Sequence, residues 1–307
     1  MAKKGYCSQF RHLDIVLSDA GTMADTAADS PAIAIRNLVM RFDAREILKD
    51  ISLDIARGET FVILGGSGCG KSTLLRNIVG LEQPTEGQIR IQGKDISRLS
   101  EDEFNELRKK MGMAFQNSAL FNSMTVGENV ALPLQEHTRL AESTIQIMTR
   151  IKLDQVGLSG FESFLPSQLS GGMRKRAGIA RALAMDPEIL LFDEPSAGLD
   201  PIIAAGIDNL ILKLKQAFRM TIVLVTHELA SAFLLADRMA MLDQGRILFV
   251  GTPEEIRESG IPRVRQFLER EADREPQDVE QYLRELTRKD KSPRGQTVGR
   301  KSRGRTK

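Results

Sequence analysis

Residues 61 to 75 read FVILGGSGCGKSTLL, an apolar run that breaks into glycines and resumes as a lysine, two hydroxyl residues and paired leucines. The β-branched and aromatic residues before the break predict a strand, and Leu74, Leu75 and Ile78 at helical spacing predict a helix after it. Strand, glycine-rich turn and helix in that order make a phosphate loop. Gly65, Gly66, Gly68 and Gly70, with Ser67 and Cys69 between them, let the backbone turn so that successive N–H groups point inward at a helix N-terminus. Lys71 adds a mobile positive charge for β- and γ-phosphates, the Ser72 hydroxyl can ligate Mg²⁺, and Thr73 closes the motif.

The bulk numbers bound what surrounds this loop. A chain of 307 residues with 41% hydrophobic content forms one large or two ordinary domains with a packed core. The net charge of +2 creates no whole-chain field for nucleic acid. Two cysteines, Cys7 and Cys69, make no disulfide framework, and the position of Cys69 inside the loop points to a reducing compartment. No run approaches the roughly 18–20 apolar residues of a membrane span. Arg11, His12, Asp14 and Asp19 interrupt the segment after Lys3 and Lys4, so it lacks a signal-peptide core. The expected location is the cytoplasm, with any work on a membrane requiring another chain to cross the bilayer.

Upstream of the loop, residues 1–31 read as a loosely ordered lead-in. Ile33 and Ile35, then Ile51, Leu53 and Ile55, alternate with polar residues and predict antiparallel strands lying beside the phosphate-loop strand. QIRIQG, Gln88 to Gly93, repeats the pattern. Phe42 alone reads as a core or edge residue; within the whole set of motifs it is the ring to stack on adenine. Downstream, a polar helical stretch from Ser100 to Lys110 leads to MGMAFQ, where Gln116 ends a short apolar strand. If that strand lies next to the phosphate loop, the Gln116 amide reaches both Mg²⁺ and the attacking water. Residues 125–185 have helical composition, and inside them LSGGM, Leu169 to Met173, precedes RKRAGIARALAM. Ser170, Gly171 and Gly172 ahead of an alanine-rich helix make a second anion-binding helix N-terminus, which one chain does not obviously need.

ILLFDEP, Ile189 to Pro195, is a buried parallel strand ending in two carboxylates, at the end where ligands bind in open α/β sheets. Asp193 is placed to hold Mg²⁺ through water, and Glu194 to act as the base on a nucleophilic water. SAGLD, Ser196 to Asp200, leads into a helix over 201–218, and TIVLVTHE is another buried strand, ending at His227. There the imidazole can hydrogen-bond a γ-phosphate and so sense its presence.

GGSGCGKST, Gln116, LSGGM, ILLFDE, SAGLD and His227 stand in the order and spacing of an ABC-transporter ATPase, and the resemblance covers residues 33 to 260. It implies an α/β fold: a P-loop NTPase (RecA-like) core with an antiparallel β subdomain and an inserted helical subdomain. Those parts would occupy 32–262, the helical one about 117–185. The resemblance implies ATP and Mg²⁺ as ligands, with Phe42, Gly65 through Thr73, Ser170, Gly171, Gly172 and Asp200 around the nucleotide. By the same resemblance, Ser170 and Gly172 of one subunit would close over ATP at Lys71 of the other. That accounts for the second anion site and implies a two-fold homodimer. Phe42 stands where the wider family often has tyrosine, and stacking survives the exchange because both rings present a π face.

Met173-Arg174-Lys175-Arg176, FQNSALF, ENVALPLQEHT and PRVRQFL are similar to the ATPases of Mce-type (Mla-like) transporters, which move phospholipid between bacterial inner and outer membranes. The partners this implies are an integral membrane permease, a periplasmic Mce-domain lipid-binding protein and a STAS-domain cytoplasmic protein. The chain would then sit peripherally on the cytoplasmic side of the inner membrane, with no nucleic acid expected. The alternatives are an ATPase for another solute, an amino acid or a metal, and a soluble ABC protein acting on DNA or ribosomes. GGMRKR and ALPLQEHT speak against the first; a single cassette without a long heptad run speaks against the second.

Residues 263–289 form a C-terminal helical extension in which Val279, Tyr282, Leu283 and Leu286 share one helical face. That stripe packs on its own core or crosses to the neighbouring subunit as a clamp. Residues 290–307 are a basic tail without apolar anchors, expected to be disordered, with contact to anionic headgroups as a further option.

Overall fold

Alternating and continuous apolar patterns sort the strands into two sheets. The structure, a computed structural model, describes residues 30–271. Most of the lead-in, the helix expected over Gln277 to Lys289 and the basic tail lie outside the described residues. In chain order the elements begin with β1 (Ile33–Phe42), β2 (Arg45–Ile55), β3 (Thr60–Leu64), α1 (Lys71–Ile78), β4 (Glu86–Ile91) and β5 (Lys94–Asp95). Then come α2 (Glu101–Arg108), β6 (Met111–Ala114), α3 (Val126–His137), α4 (Glu142–Gln155), α5 (Gly171–Ala182) and β7 (Ile189–Asp193). The rest are α6 (Pro201–Phe218), β8 (Thr221–Thr226), α7 (Leu229–Leu235), β9 (Arg238–Asp243), β10 (Arg246–Gly251), α8 (Pro253–Arg257) and α9 (Pro262–Leu268).

The amphipathic strands form an antiparallel sheet of order β2-β1-β4-β5. The alternation predicts them beside β3; instead they make a sheet of their own that packs face-on. Ile33, Ile35, Leu38, Ile51 and Ile55 share a core with Phe61, Ile63, Leu191 and Val223, and with Leu74, Leu75 and Ile78 of α1. The reason is burial: strands with one polar face are stable with that face in water, whereas β3 is covered on both sides.

The second sheet has the order β10-β9-β3-β8-β7-β6. β9, β3, β8, β7 and β6 are parallel, and β10 pairs antiparallel with β9. Every residue of β3, β7 and β8 is buried. Successive side chains point to opposite faces, so Phe61, Ile63, Leu191 and Val225 enter the core shared with the antiparallel sheet. Val62, Leu64, Leu190, Phe192 and Leu224 enter a second core with Ile179, Ile207, Ile211 and Ala232 of the helices. After β3 the chain crosses to the far edge at β6, returns through β7, and inserts β8 between β7 and β3. The direction of travel reverses at β6, so the neighbours β3 and β8 lead away toward opposite edges, and the loops leaving β3, β7 and β8 converge at one end of the sheet.

The stretch expected to be helical holds α3, α4 and α5, with a small core of Ala131, Leu134, Ile145 and Ala184. Among the described residues no helix is long and apolar enough to cross a membrane.

Candidate functional site

Leaving β3, the loop reaches α1 through Gly70, whose φ of 109° lies in the left-handed region that favours glycine. No side chain caps α1, so its first-turn N–H groups face the loop as an anion cradle. The buried Lys71 bends back over that loop, its Nζ donating to Gly65 O at 3.0 Å and Gly66 O at 2.9 Å. Ser72 Oγ donates to Asp193 Oδ1 at 2.8 Å, joining the start of α1 to the end of β7. These are hard oxygen donors of the kind Mg²⁺ takes alongside substrate phosphates.

Glu194 follows in a turn with φ 49°, a left-handed conformation costing a non-glycine residue about 1–2 kcal/mol. The strain is held in place because Glu194 N–H donates to Val225 O of β8 at 3.0 Å. The buried carboxylate has Oε1 3.5 Å from Lys71 Nζ and Oε2 2.8 Å from His227 Nδ1. His227 is thus a partner of Glu194 through Nδ1, and its Nε2 is the ring nitrogen left for a γ-phosphate. Its side chain is 59% exposed, open to the space above the sheet.

Lys71, Ser72, Asp193, Glu194 and His227 are therefore brought together. β6 does not pair with β3, since β7 and β8 lie between them, and Gln116 is exposed in the turn that follows. That turn nevertheless reaches the site: Gln116 O and Glu194 O accept from the same ammonium, Lys175 Nζ, at 2.6 and 3.0 Å. Phe42 ends β1 with its ring 45% exposed, on the antiparallel sheet.

Ser170, Gly171, Gly172 and Asp200 gather as a second group. Ser170 is the N-cap of α5, accepting from Met173 N–H at 3.3 Å, and Asp200 is the N-cap of α6, accepting from Ile202 and Ile203 N–H at 3.1 Å. The two helix starts touch: a Cβ on Gly172 would stand 2.5 Å from Ile203 Cγ2. Among the described residues these four make no hydrogen bond to the phosphate loop.

The residue that sequence reasoning missed is Lys175. Its Nζ donates to Gln116 O at 2.6 Å and to Glu194 O at 3.0 Å. Burial lowers the pKa of this ammonium, while the charges of Glu194 and Asp193 raise it. Consecutive helical residues point about 100° apart, and its neighbours go elsewhere: Arg174 to Leu169 O, Arg176 to Val156 O and Gly206 O. Nothing in the run Arg174-Lys175-Arg176 marks which cation faces the carboxylates. Beyond α5 a cleft of about 560 Å³ opens, lined by Phe115, Phe121, Leu132, Pro133, His137 and Arg181.

The ABC transporter family matches residues 48–197. The chain is 40% identical over 257 residues to the intermembrane phospholipid transport system ATP-binding protein MlaF of Haemophilus influenzae, covering 83% of this chain and 97% of that one. It is 44% identical over 237 residues to the probable ribonucleotide transport ATP-binding protein mkl of Mycobacterium leprae, covering 77% and 68% respectively. A dimeric ATP-binding cassette solved in a post-hydrolysis state with ADP and Pi superposes with a TM-score of 0.67 at 33% identity, over 72% of this chain and 98% of that one.

Proposed function

The chain belongs to the ABC transporter family, and from that premise we propose that it is the ATPase subunit of a Mla/Mce-type phospholipid transporter. It binds and hydrolyses ATP, as its family does. The observation that carries the mechanism is the meeting of Lys71, Ser72, Asp193, Glu194 and His227 where β3, β7 and β8 end.

In this reading Lys71 exchanges the Gly65 and Gly66 carbonyls for phosphate oxygens, while the uncapped start of α1 binds the same anion. Ser72 and Asp193 would hold Mg²⁺, which when bound supplies neutralising charge for the phosphates. Glu194 accepts the proton of the attacking water, its carboxylate aimed by His227 and by the strained turn. Ser170, Gly172 and Asp200 stand apart from this group within one chain, and the homodimer reading makes them the cover for the partner's ATP. Closure with ATP and opening after hydrolysis then drive a permease, whose docking place is the cleft beside Phe115 and Phe121. The chain sits peripherally on the cytoplasmic face of the membrane, and a periplasmic Mce-domain protein and a STAS-domain protein complete the assembly.

Glu194→Gln tests the chemistry: ATP binding should persist while turnover disappears, and brisk hydrolysis by that variant overturns the assignment of the base. The cargo has a second reading, because the mycobacterial relative is named for ribonucleotide transport. Pull-down from detergent-solubilised membranes with mass spectrometry of proteins and small molecules separates the two. Phospholipid co-purifying with a permease supports the first, and nucleotide cargo without phospholipid the second.

A further inference from the structure

Three positions of α5, Lys175, Gly178 and Arg181, recur at every third residue and face the turn that follows β6. Lys175 Nζ donates to Gln116 O at 2.6 Å. Arg181 donates to Ser118 O at 3.0 Å and to Ala119 O at 2.8 Å. Between them Gly178 lets the helix backbone close on the turn: a Cβ there would stand 3.2 Å from both Cβ and O of Ser118. The turn needs this grip, since Ser118 and Ala119 are successive non-glycine residues with φ of 60° and 48°. Helix and turn are therefore clamped together by three side-chain hydrogen bonds and a close backbone approach.

One member of the grip has a second partner. Lys175 Nζ also donates to Glu194 O at 3.0 Å, and Glu194 is itself in a left-handed turn. A bond on its carbonyl restrains the backbone from which the carboxylate projects. At the other end Arg181 lies beside Phe121, with its guanidinium carbon 6.0 Å from the ring centroid, and both line the cleft of about 560 Å³. A continuous path runs from the cleft through Arg181, the turn and Lys175 to Glu194.

We propose that Lys175 is a positioning residue: it holds the Glu194 turn to α5 and so makes the aim of the carboxylate depend on where α5 and the cleft stand. The proposal rests on the reading of Glu194 as the base. Burial lowers the pKa of this ammonium, and the charges of Glu194 and Asp193 partly offset that. A cation serving only to pack α5 would need no second carbonyl across the site.

The experiment uses the full-length homodimer with Mg²⁺ and ATP, comparing steady-state kcat and KM for the wild type, Lys175→Met, Lys175→Arg and Glu194→Gln, with thermal melting of each. Lys175→Met should lower kcat about tenfold, the rate equivalent of losing one charge-assisted hydrogen bond, with KM within about twofold. Lys175→Arg, which keeps charge and donors, should recover most of that loss. A Lys175→Met kcat within about twofold of wild type overturns the proposal. So does a loss that tracks melting temperature and that arginine does not restore. If Lys175→Met does not fold, Lys175→Gln, with N–H donors on a shorter stem, is judged by the same criteria against Lys175→Arg. Persistent turnover in Glu194→Gln removes the base itself and this proposal with it, whereas an inactive Glu194→Gln beside a normal Lys175→Met removes only the role of Lys175.

Discussion

Gly65 and Gly66 are neighbours in the same loop, and the structure assigns them different burdens. A Cβ at Gly65 would stand 2.2 Å from Leu242 O of β9 and 2.8 Å from Cys69 Sγ, whereas one at Gly66 would meet nothing within 4 Å. The obstacle at Gly65 is backbone beside the β3–β9 ladder, where Leu64 pairs with Met241. Relief therefore requires moving a strand or the loop by about 1 Å, placing Gly65→Ala at the upper end of the overpacking range, about 3 kcal/mol. At roughly 2–4 °C per kcal/mol for a body of this size, its melting temperature should fall by about 6–12 °C. Gly66→Ala should melt with the wild type, since its methyl meets no protein atom, and lose ATP affinity, since it adds bulk to a loop that must close on the anion. Thermal melting without nucleotide, paired with equilibrium binding of a fluorescent ATP analogue, reads both effects. If Gly65→Ala melts within about 1 °C of wild type, or Gly66→Ala melts as low as Gly65→Ala, the reasoning from close approach is wrong.

Other consequences are as direct. Ser72→Ala removes the hydroxyl on Asp193 and should raise the Mg²⁺ concentration for half-maximal ATPase about tenfold, read by metal titration of phosphate release. Asn129 is fully buried, accepts from Phe121 N–H and donates to the carbonyls of Phe121, Met124 and Thr125. Asn129→Ala should cost about 3 kcal/mol in urea unfolding, because buried backbone groups lose their partner. Asp208 is buried, and desolvation raises its pKa, opposed by the Ser231 hydroxyl and assisted by Glu228. A folded-state pKa above the unfolded one gives stability that is complete below the unfolded pKa and lost as pH rises through the folded one. Asp208→Asn should therefore stabilise the protein at neutral pH by about 1 kcal/mol and flatten its stability between acidic and neutral pH, as measured by denaturant unfolding at each.

What could be read from the chain alone was local. The glycine spacing between Gly65 and Gly70 and the unbroken apolarity of residues 189–192 and 222–225 announced a phosphate loop and two buried strands, because a backbone turn and a two-sided burial leave a mark on consecutive residues. Asp193, Glu194 and His227 were then legible as ends of strands, since ligands gather where parallel strands finish. Sheet order was not. That β8 and β7 separate β6 from β3, and that β1 and β2 leave β3 for a sheet of their own, depends on pairings between segments far apart in the chain. No window of sequence contains them. Direction was also hidden: a single-residue step along α5 turns a side chain by about 100°, so Lys175, not Arg174 or Arg176, reaches Glu194. Likewise the Nδ1 contact of His227 with Glu194 exists only once β8 lies beside β7. Residue type and periodicity determined which groups this protein has for phosphate chemistry; tertiary pairing, which sets distance and aim, decided which of them meet.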